Sequence, residues 1–386
     1  MQIGLDALAL DTSRYVLNLR DLARARGVDP NKYCKGLGQE LMSIPPPDED
    51  VVTLGANAAW HALEALDWPA IELLIFATES AVDQSKAAAV YAHGLLDLPP
   101  DCLCLEVKQA CSSGAGGLLL ALDYVRAKPT AKALVIAADI ARYGLRTPGE
   151  PTQGAGAAAL VVSAQPRLVA LDSRAGFHSE CVMDFWRPNY RDEALVDGKY
   201  SLKVYLKAVQ SAWQRYAART GRGFEDHARF CYHLPFTRMA EKAHQQLLRE
   251  TGHEGLSAAE VQRQIGGGLH YNPVIGNSYT ASLFVALASL LEHEQAVSGE
   301  RVGLFSYGSG CMAAFFSGVV QPGYQRYVQA QRHAALLESR QELTVSAYEA
   351  FYAAHLPVDG RTYHCPRHET GLFRLAGIEQ HQRHYD

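Results

Sequence analysis

The stretch Leu103-Cys-Leu-Glu-Val107-Lys-Gln-Ala-Cys111-Ser-Ser-Gly-Ala-Gly-Gly117 joins two opposite patterns. Leu103 to Val107 reads as a short apolar strand, whereas Ser113 to Val125 is small and apolar at helical spacing. Cys111 therefore falls at a helix entrance, where unpaired backbone N–H groups and the positive end of the helix dipole favour thiolate over thiol and can hold an oxyanion. The glycines that follow leave room above the sulfur for a substrate and let the helix pack closely on its neighbours. A buried structural cysteine at a tight turn would have the same local sequence. The partners of the thiol must decide between the two readings.

Working outward, strand-like runs at Ile71–Ala77, Leu103–Val107, Ala133–Ala138 and Ala158–Val162 alternate with helical stretches at Val51–Leu66, Lys86–Leu96 and Ser113–Arg126. That alternation is an α/β signature. A second set follows, with helices at Ser201–Arg219, Arg238–Glu250 and Tyr279–Glu292 and strands at Arg229–His233, Val302–Tyr307 and Met312–Val320. The two sets share a layout and no Pro/Gly/Ser-rich linker separates them, so the chain divides into two similar, intimately packed halves. Residues 1–165 hold the cysteine and 166–386 hold a histidine and an asparagine of interest.

With 386 residues, 48% of them hydrophobic, the chain can bury a large core. A net charge of -5 gives no basic face for nucleic acid. The N-terminus lacks a basic stretch followed by an apolar core, and no apolar run approaches membrane-spanning length, which points to a cytosolic protein. Eight cysteines are scattered without a CxxC pair, suggesting neither a disulfide framework nor a zinc ribbon. Cys102 and Cys104 alternate onto one strand face, as packing residues do. His364-Cys-Pro-Arg-His368, with His381 and His384 beyond, lacks a second well-spaced ligand pair, so no metal site is expected there. Gly371-Leu-Phe-Arg-Leu375 reads as a final strand.

Three further segments could serve the thiol. In Phe230-Cys-Tyr-His-Leu-Pro-Phe-Thr-Arg-Met239, Pro235 forces the chain out of a strand and leaves His233 on a loop at the strand's end. In Asn272-Pro-Val-Ile-Gly-Asn-Ser-Tyr-Thr280, Asn277 precedes a helix start and can either cap it or donate to a carbonyl. Glu79 ends an apolar strand; delivered into an apolar pocket its pKa would rise and suit it to acid–base work, and on a surface turn it would simply be solvated. Phe305-Ser-Tyr-Gly-Ser-Gly310 reads as a tight hairpin whose N–H groups can approach a ligand.

Together with Gly36-Leu-Gly-Gln39, Ala77-Thr-Glu-Ser80, Asp139-Ile-Ala-Arg-Tyr-Gly144, Gly149-Glu-Pro-Thr-Gln-Gly-Ala-Gly156, Asp184-Phe-Trp-Arg-Pro188, His233-Leu-Pro-Phe-Thr237 and Ser306-Tyr-Gly-Ser-Gly310, these segments resemble the bacterial-type hydroxymethylglutaryl-CoA synthases, thiolase-fold condensing enzymes, over nearly the whole chain. The resemblance implies a five-layered αβαβα arrangement, a homodimer, and condensation of acetyl-CoA with acetoacetyl-CoA in the mevalonate pathway to isoprenoids. By the same resemblance Cys111 takes the acetyl group, Glu79 removes its methyl proton, and His233 and Asn277 orient the acceptor, His233 being placed to protonate the alkoxide. The backbone N–H groups of Cys111 and Ser309 hold the acetyl oxygen, and Tyr143, Thr152 and Gly308 join Asn277 and Ser309 in binding substrate. Arg238 and Lys242 are candidates for CoA phosphates or plain solvated helix positions. No metal or redox cofactor is implied.

One departure stands out: Ser112 follows the nucleophile where the family usually has an aromatic residue, which suggests an altered or enlarged acyl pocket. The nearest rival reading is a β-branching synthase of polyketide assembly acting on acyl-carrier-protein thioesters. Those enzymes commonly carry a longer segment before the motif at Glu150, which Tyr143 here reaches directly. A Cys/His/Asn hydrolase would leave Glu79 idle, and a non-catalytic scaffold would not need all four residues.

Overall fold

The computed structural model describes residues 1–294 and 296–386. Its spine is a ten-stranded sheet in the order Arg229–Tyr232, Arg301–Gly308, Met312–Val320, Val169–Leu171, Gly4–Asp11, Gly154–Ser163, Ala133–Ala141, Leu73–Ala77 and Leu103–Val107, with Gly176–Ser179 pairing alongside Met312–Val320. Leu73–Ala77 is parallel to both neighbours, as a strand fed by helical crossovers should be.

Burial explains why these runs become strands. Along Leu73–Ala77 and Ala133–Ala138 alternate side chains enter different cores: Leu74, Phe76, Leu134 and Ile136 face one, and Ile75, Ala77, Val135 and Ala137 the other. Both faces of the sheet are covered, so the strands are apolar throughout rather than alternating with polar residues. Helices Val51–Glu64 and Ala88–Leu95 cover the first face, and the helix Ser113–Ala127 covers the second. Gly198–Thr220, Met239–Thr251 and Ser282–His293 pack in the same core as Ser113–Ala127.

Two expectations are corrected. Gly4–Asp11, absent from the sequence reading, is a wholly buried strand beside Gly154–Ser163. Its Asp6 is tolerated because Lys132 and Arg167 each reach it at 2.6 Å. The final strand is not at Gly371–Leu375 but at Leu375–Glu379 and Gln382–Tyr385. Asn57 explains this, since its Oδ1 takes the N–H groups of Leu372 and Phe373 that a strand would have given to a neighbour.

Tyr279–Ala281 forms a 3-10 turn ahead of the α-helix, which begins only at Ser282. Cys102 and Cys104 pack against a core, as expected. His368 is spent on Asp48, 2.8 Å away, and among the described residues no His/Cys/Asp/Glu group is arranged to hold a metal ion. No helix among them is long and apolar enough to cross a membrane.

Candidate active site

The thiol of Cys111 donates to Glu79 Oε1 at 3.0 Å. Each partner comes from where the sequence put it: Glu79 follows the strand Leu73–Ala77, and Cys111 precedes the helix Ser113–Ala127. The nucleophile turn is stitched internally, with Ser112 N–H and Ser113 N–H donating to the carbonyls of Gln109 and Ala110. Ser113 Oγ donates to Ala110 O as well, at 2.7 Å. The turn holds Ala110 at φ +45°, a left-handed conformation that a residue with a Cβ seldom adopts. The following helix sits tight on its neighbour, since a Cβ on Gly114 would stand 2.5 Å from Thr280 O.

Burial, then the charge of Asp139, pushes the Glu79 carboxyl up to about 8. The thiol hydrogen bond and Arg187, whose guanidinium donates to Glu79 O, pull the other way. Burial, then Glu79, raises the Cys111 thiol well above the usual thiol range. This corrects the expectation that a helix entrance would make the sulfur a thiolate: two nearby carboxylates and desolvation outweigh a partial positive dipole. The sulfur rests as a thiol beside a carboxyl group that becomes a base as pH rises through about 8.

The other two candidates arrive on the second half of the chain. His233 leaves the strand Arg229–Tyr232 with its backbone pinned, N–H to Phe305 O and carbonyl accepting from Tyr205 Oη, both at 2.8 Å. The residue is 2% exposed and Nδ1 has no hydrogen-bond partner among the described residues. Burial drops its pKa to about 3, so the imidazole is neutral at ordinary pH. Asn277 resolves the choice left by its sequence: Oδ1 accepts from Tyr279 N–H at 3.0 Å, so the oxygen caps the turn and Nδ2 is the end that can serve a ligand. Gly276 at φ +87° and Gly154 bring the two motifs backbone to backbone, where Asn277 N–H reaches Gln153 O.

Tyr143 is buried with its hydroxyl facing those of Tyr279 and Thr152, and burial raises its pKa. Thr152 Oγ1 donates to Gly149 O at 2.8 Å. Ser309 follows Gly308 at the end of the strand Arg301–Gly308, and its carbonyl accepts from Gln109 Nε2 at 3.2 Å. Ser112 is 1% exposed, its Oγ donates to Gln109 O, and Gly308 closes against it. Arg238 pairs with Glu241 and donates to Lys35 O, and Lys242 lies 5.3 Å from the Phe236 ring. Their contacts are with the surface around that helix rather than with the Cys111–Glu79 pair.

A family model described as hydroxymethylglutaryl-coenzyme A synthase N terminal matches residues 1–166, and the corresponding C-terminal model matches 169–253 and 250–356. The chain belongs to the hydroxymethylglutaryl-CoA synthase family. It is 41% identical over 363 residues to the hydroxymethylglutaryl-CoA synthase of Enterococcus faecalis, covering 93% of this chain and 94% of that one. A polyketide-biosynthesis 3-hydroxy-3-methylglutaryl-ACP synthase of Bacillus subtilis is 34% identical, covering 90% and 87%. A crystal structure of an HMG-CoA synthase complexed with CoA superposes with a TM-score of 0.94 at 40% identity, covering 100% of this chain and 99% of that one. The fold is therefore the thiolase-like one, and the chain is a condensing acyltransferase of this synthase family.

Sequence reasoning missed the groups that hold this synthase site in place. Asp139, fully buried, accepts from Thr78 Oγ1 (2.8 Å), Glu79 N–H (2.9 Å), Thr280 Oγ1 (2.6 Å) and Thr280 N–H (3.1 Å). It thereby ties the base to the asparagine-bearing turn. Asp184 accepts from Tyr307 Oη and, at 2.9 Å, from Gly310 N–H, fixing the loop that carries Ser309. Tyr279 stands at φ +41° with its hydroxyl buried and without a hydrogen bond of good geometry among the described residues. An acid directly after the apolar run Ala133–Ala138 was the available signal for Asp139.

Proposed function

We propose that the protein condenses acetyl-CoA with acetoacetyl-CoA to hydroxymethylglutaryl-CoA through an acetyl-S-Cys111 intermediate. The observation that carries this reading is the 3.0 Å contact between the Cys111 thiol and a Glu79 carboxylate whose pKa is raised to about 8. A carboxylate at its ordinary pKa is a weak base; one raised toward neutrality can take the thiol proton and later a proton from the acetyl methyl.

In the first step the Cys111 sulfur bonds to the acetyl carbonyl carbon, the C–S bond to CoA breaks, and the thiol proton leaves with CoA. Glu79 then removes a methyl proton from the acetyl thioester, and the N–H groups of Cys111 and Ser309 stabilise the enolate oxygen. The enolate carbon bonds to the ketone carbon of acetoacetyl-CoA. His233, neutral at rest, polarises that ketone as a hydrogen-bond donor, with Asn277 Nδ2 beside it. The proton that reaches the alkoxide is the one Glu79 has just taken up, in place of the His233 proton expected from the resemblance, because burial keeps the imidazole neutral. Water then cleaves the Cys111 thioester and releases the product. Tyr143, Thr152 and Gly308 shape the acceptor pocket, and Arg238 and Lys242 meet CoA phosphates. The chemistry calls for no metal or redox cofactor, because thioester exchange and addition to a ketone are carried by these side chains.

Free CoA thioesters are the preferred carriers, supported by the higher identity to the Enterococcus enzyme than to the carrier-protein synthase. On this reading residues 1–165 carry the acetyl group, residues 166–386 bring the acceptor-side groups, and the product enters the mevalonate pathway. A homodimer is supported by the edge strand Leu103–Val107, which exposes Leu103 and Leu105 with Leu120 also exposed. A cytosolic setting is supported by eight free cysteines. The deciding experiment incubates the full chain with acetyl-CoA, reads the intact mass, and then offers acetoacetyl-CoA or an acetoacetyl carrier protein. An acetyl adduct of about 42 Da lost to acetoacetyl-CoA supports the reading; consumption by the carrier protein alone would replace the acceptor, and no adduct would refute it.

A further inference from the structure

Gly308 and Ser112 touch where two loops meet. A Cβ on Gly308 would stand 2.4 Å from Gln109 O, 2.5 Å from Ser112 Oγ and 2.7 Å from Ser112 N. The strand end that delivers Ser309 is thus as near the nucleophile turn as a glycine permits. On the other side of the contact, Ser112 Oγ donates to Gln109 O at 2.8 Å, while Gln109 Nε2 reaches across to Ser309 O at 3.2 Å. Gln109 therefore fastens both loops, its carbonyl holding the turn and its side chain holding the hairpin.

The position matters because of what flanks it. Cys111 precedes Ser112 and Ser309 follows Gly308, and these are the residues whose N–H groups are assigned to the acetyl oxygen. In the turn, the N–H groups of Ser112 and Ser113 are used by Gln109 O and Ala110 O, and in the hairpin Gly310 N–H is used by Asp184. Among the described residues the Cys111 and Ser309 N–H groups have no such backbone acceptor, Cys111 N–H leaning only on its own sulfur.

We propose that Ser112 is a positioning residue: through its contact with Gly308, and with Gln109 as the fastener, it sets the separation of the two oxyanion donors and so the rate at which Cys111 is acetylated. The proposal rests on the reading of Cys111 as the acetyl carrier. As the sulfur–carbon bond forms, the carbonyl electron pair moves onto oxygen, and it returns when CoA departs with the thiol proton. Two donors must lie about 2.7–3.1 Å from that oxygen at once, and a displacement of about 1 Å costs on the order of 100-fold in rate. In this chain Ser112 Oγ is held on Gln109 O against Gly308, so a β-branched residue, which adds a second γ atom that cannot turn away as an unbranched ring can, presses the hairpin off the turn.

The test uses the full chain with Ser112→Val, Ser112→Ala and Gly308→Ala. Single-turnover acetylation by acetyl-CoA is followed by intact mass, and alkylation of Cys111 by iodoacetamide is followed in parallel, since alkylation uses the sulfur without an oxyanion. Ser112→Val should slow acetylation about 100-fold at saturating acetyl-CoA with KM changed less than about threefold. Alkylation should stay within about threefold of the parent, and Ser112→Ala, which removes one hydrogen bond and no spacing, should cost about three- to tenfold. Gly308→Ala should match Ser112→Val; if it fails to fold, Ser112→Val alone decides. Acetylation by Ser112→Val within threefold of the parent, or alkylation falling in step with acetylation, would overturn the proposal. A parent protein that never acquires the adduct would instead remove the reading of Cys111 beneath it.

Discussion

The two sides of the site are built on different principles. On the nucleophile side, Cys111, Glu79 and Asp139 find partners within the protein, in a chain of contacts between 2.6 and 3.1 Å. On the proposed acceptor side, His233 Nδ1 is buried without a hydrogen-bond partner among the described residues. Leaving a buried polar atom unpaired costs about 1–3 kcal/mol, a cost that a hydrogen bond to a ligand would remove. On the proposed reading, the acetyl-transfer half is assembled before substrate arrives, and a bound acceptor would give His233 Nδ1 the partner it lacks.

The largest effect expected from breaking the contrast is at its nucleophile pole. Cys111→Ala should abolish the acetyl adduct and lower condensation on the order of 10⁴-fold or more, measured by adduct mass and by product formation. Separating the poles comes next. Glu79→Gln should lower condensation by about 10²–10⁴-fold, whereas His233→Ala should leave acetylation nearly intact and lower condensation about 100-fold. Equal loss of acetylation in the His233 variant would show that the two sides are not separable.

The acid–base character of the pair predicts smaller, pH-dependent effects. Condensation should climb as pH rises through about 8, where Glu79 becomes a carboxylate. The same shift has a sign in stability. A carboxyl whose pKa rises from 4.5 to about 8 on folding favours the folded state below 4.5, and that contribution is lost as pH rises through 8. Glu79→Gln should therefore melt at a higher temperature than the parent above pH 8 and at about the same temperature near pH 4. The smallest effect is at the strained turn. Ala110→Gly should relieve a left-handed conformation and stabilise by about 1 kcal/mol, read as a rise of about 1 °C in Tm.

The elements that apolar periodicity specifies were legible. Leu103–Val107 and Met312–Val320 have the bounds read from sequence, and Ser113–Ala127 differs by one residue, because each is dominated by apolar or small residues. What was hidden depends on partners far along the chain. Gly4–Asp11 carries an aspartate that only Lys132 and Arg167 make tolerable. Gly371–Arg374 looks extended, but Asn57 claims its N–H groups. The contact of Glu79 with Cys111 follows from strand order, and its strong acid–base coupling from Asp139, which lies 60 residues beyond it in sequence. The thiol's pKa was misjudged for the same reason: a helix end is visible in a sequence, and the charges facing it are not.

Asp139 has a consequence for recombination. One fully buried carboxylate accepts from Glu79 N–H on one oxygen and from Thr280 on the other. Segments from two members of the family therefore cannot be exchanged freely across this joint. A chimera that inherits the acid from one parent and the threonine turn from another works only if both parents place their donors on the same lattice. Family relatives that differ at Thr78 or Thr280 would be poor graft partners even where the cysteine, glutamate and histidine are shared.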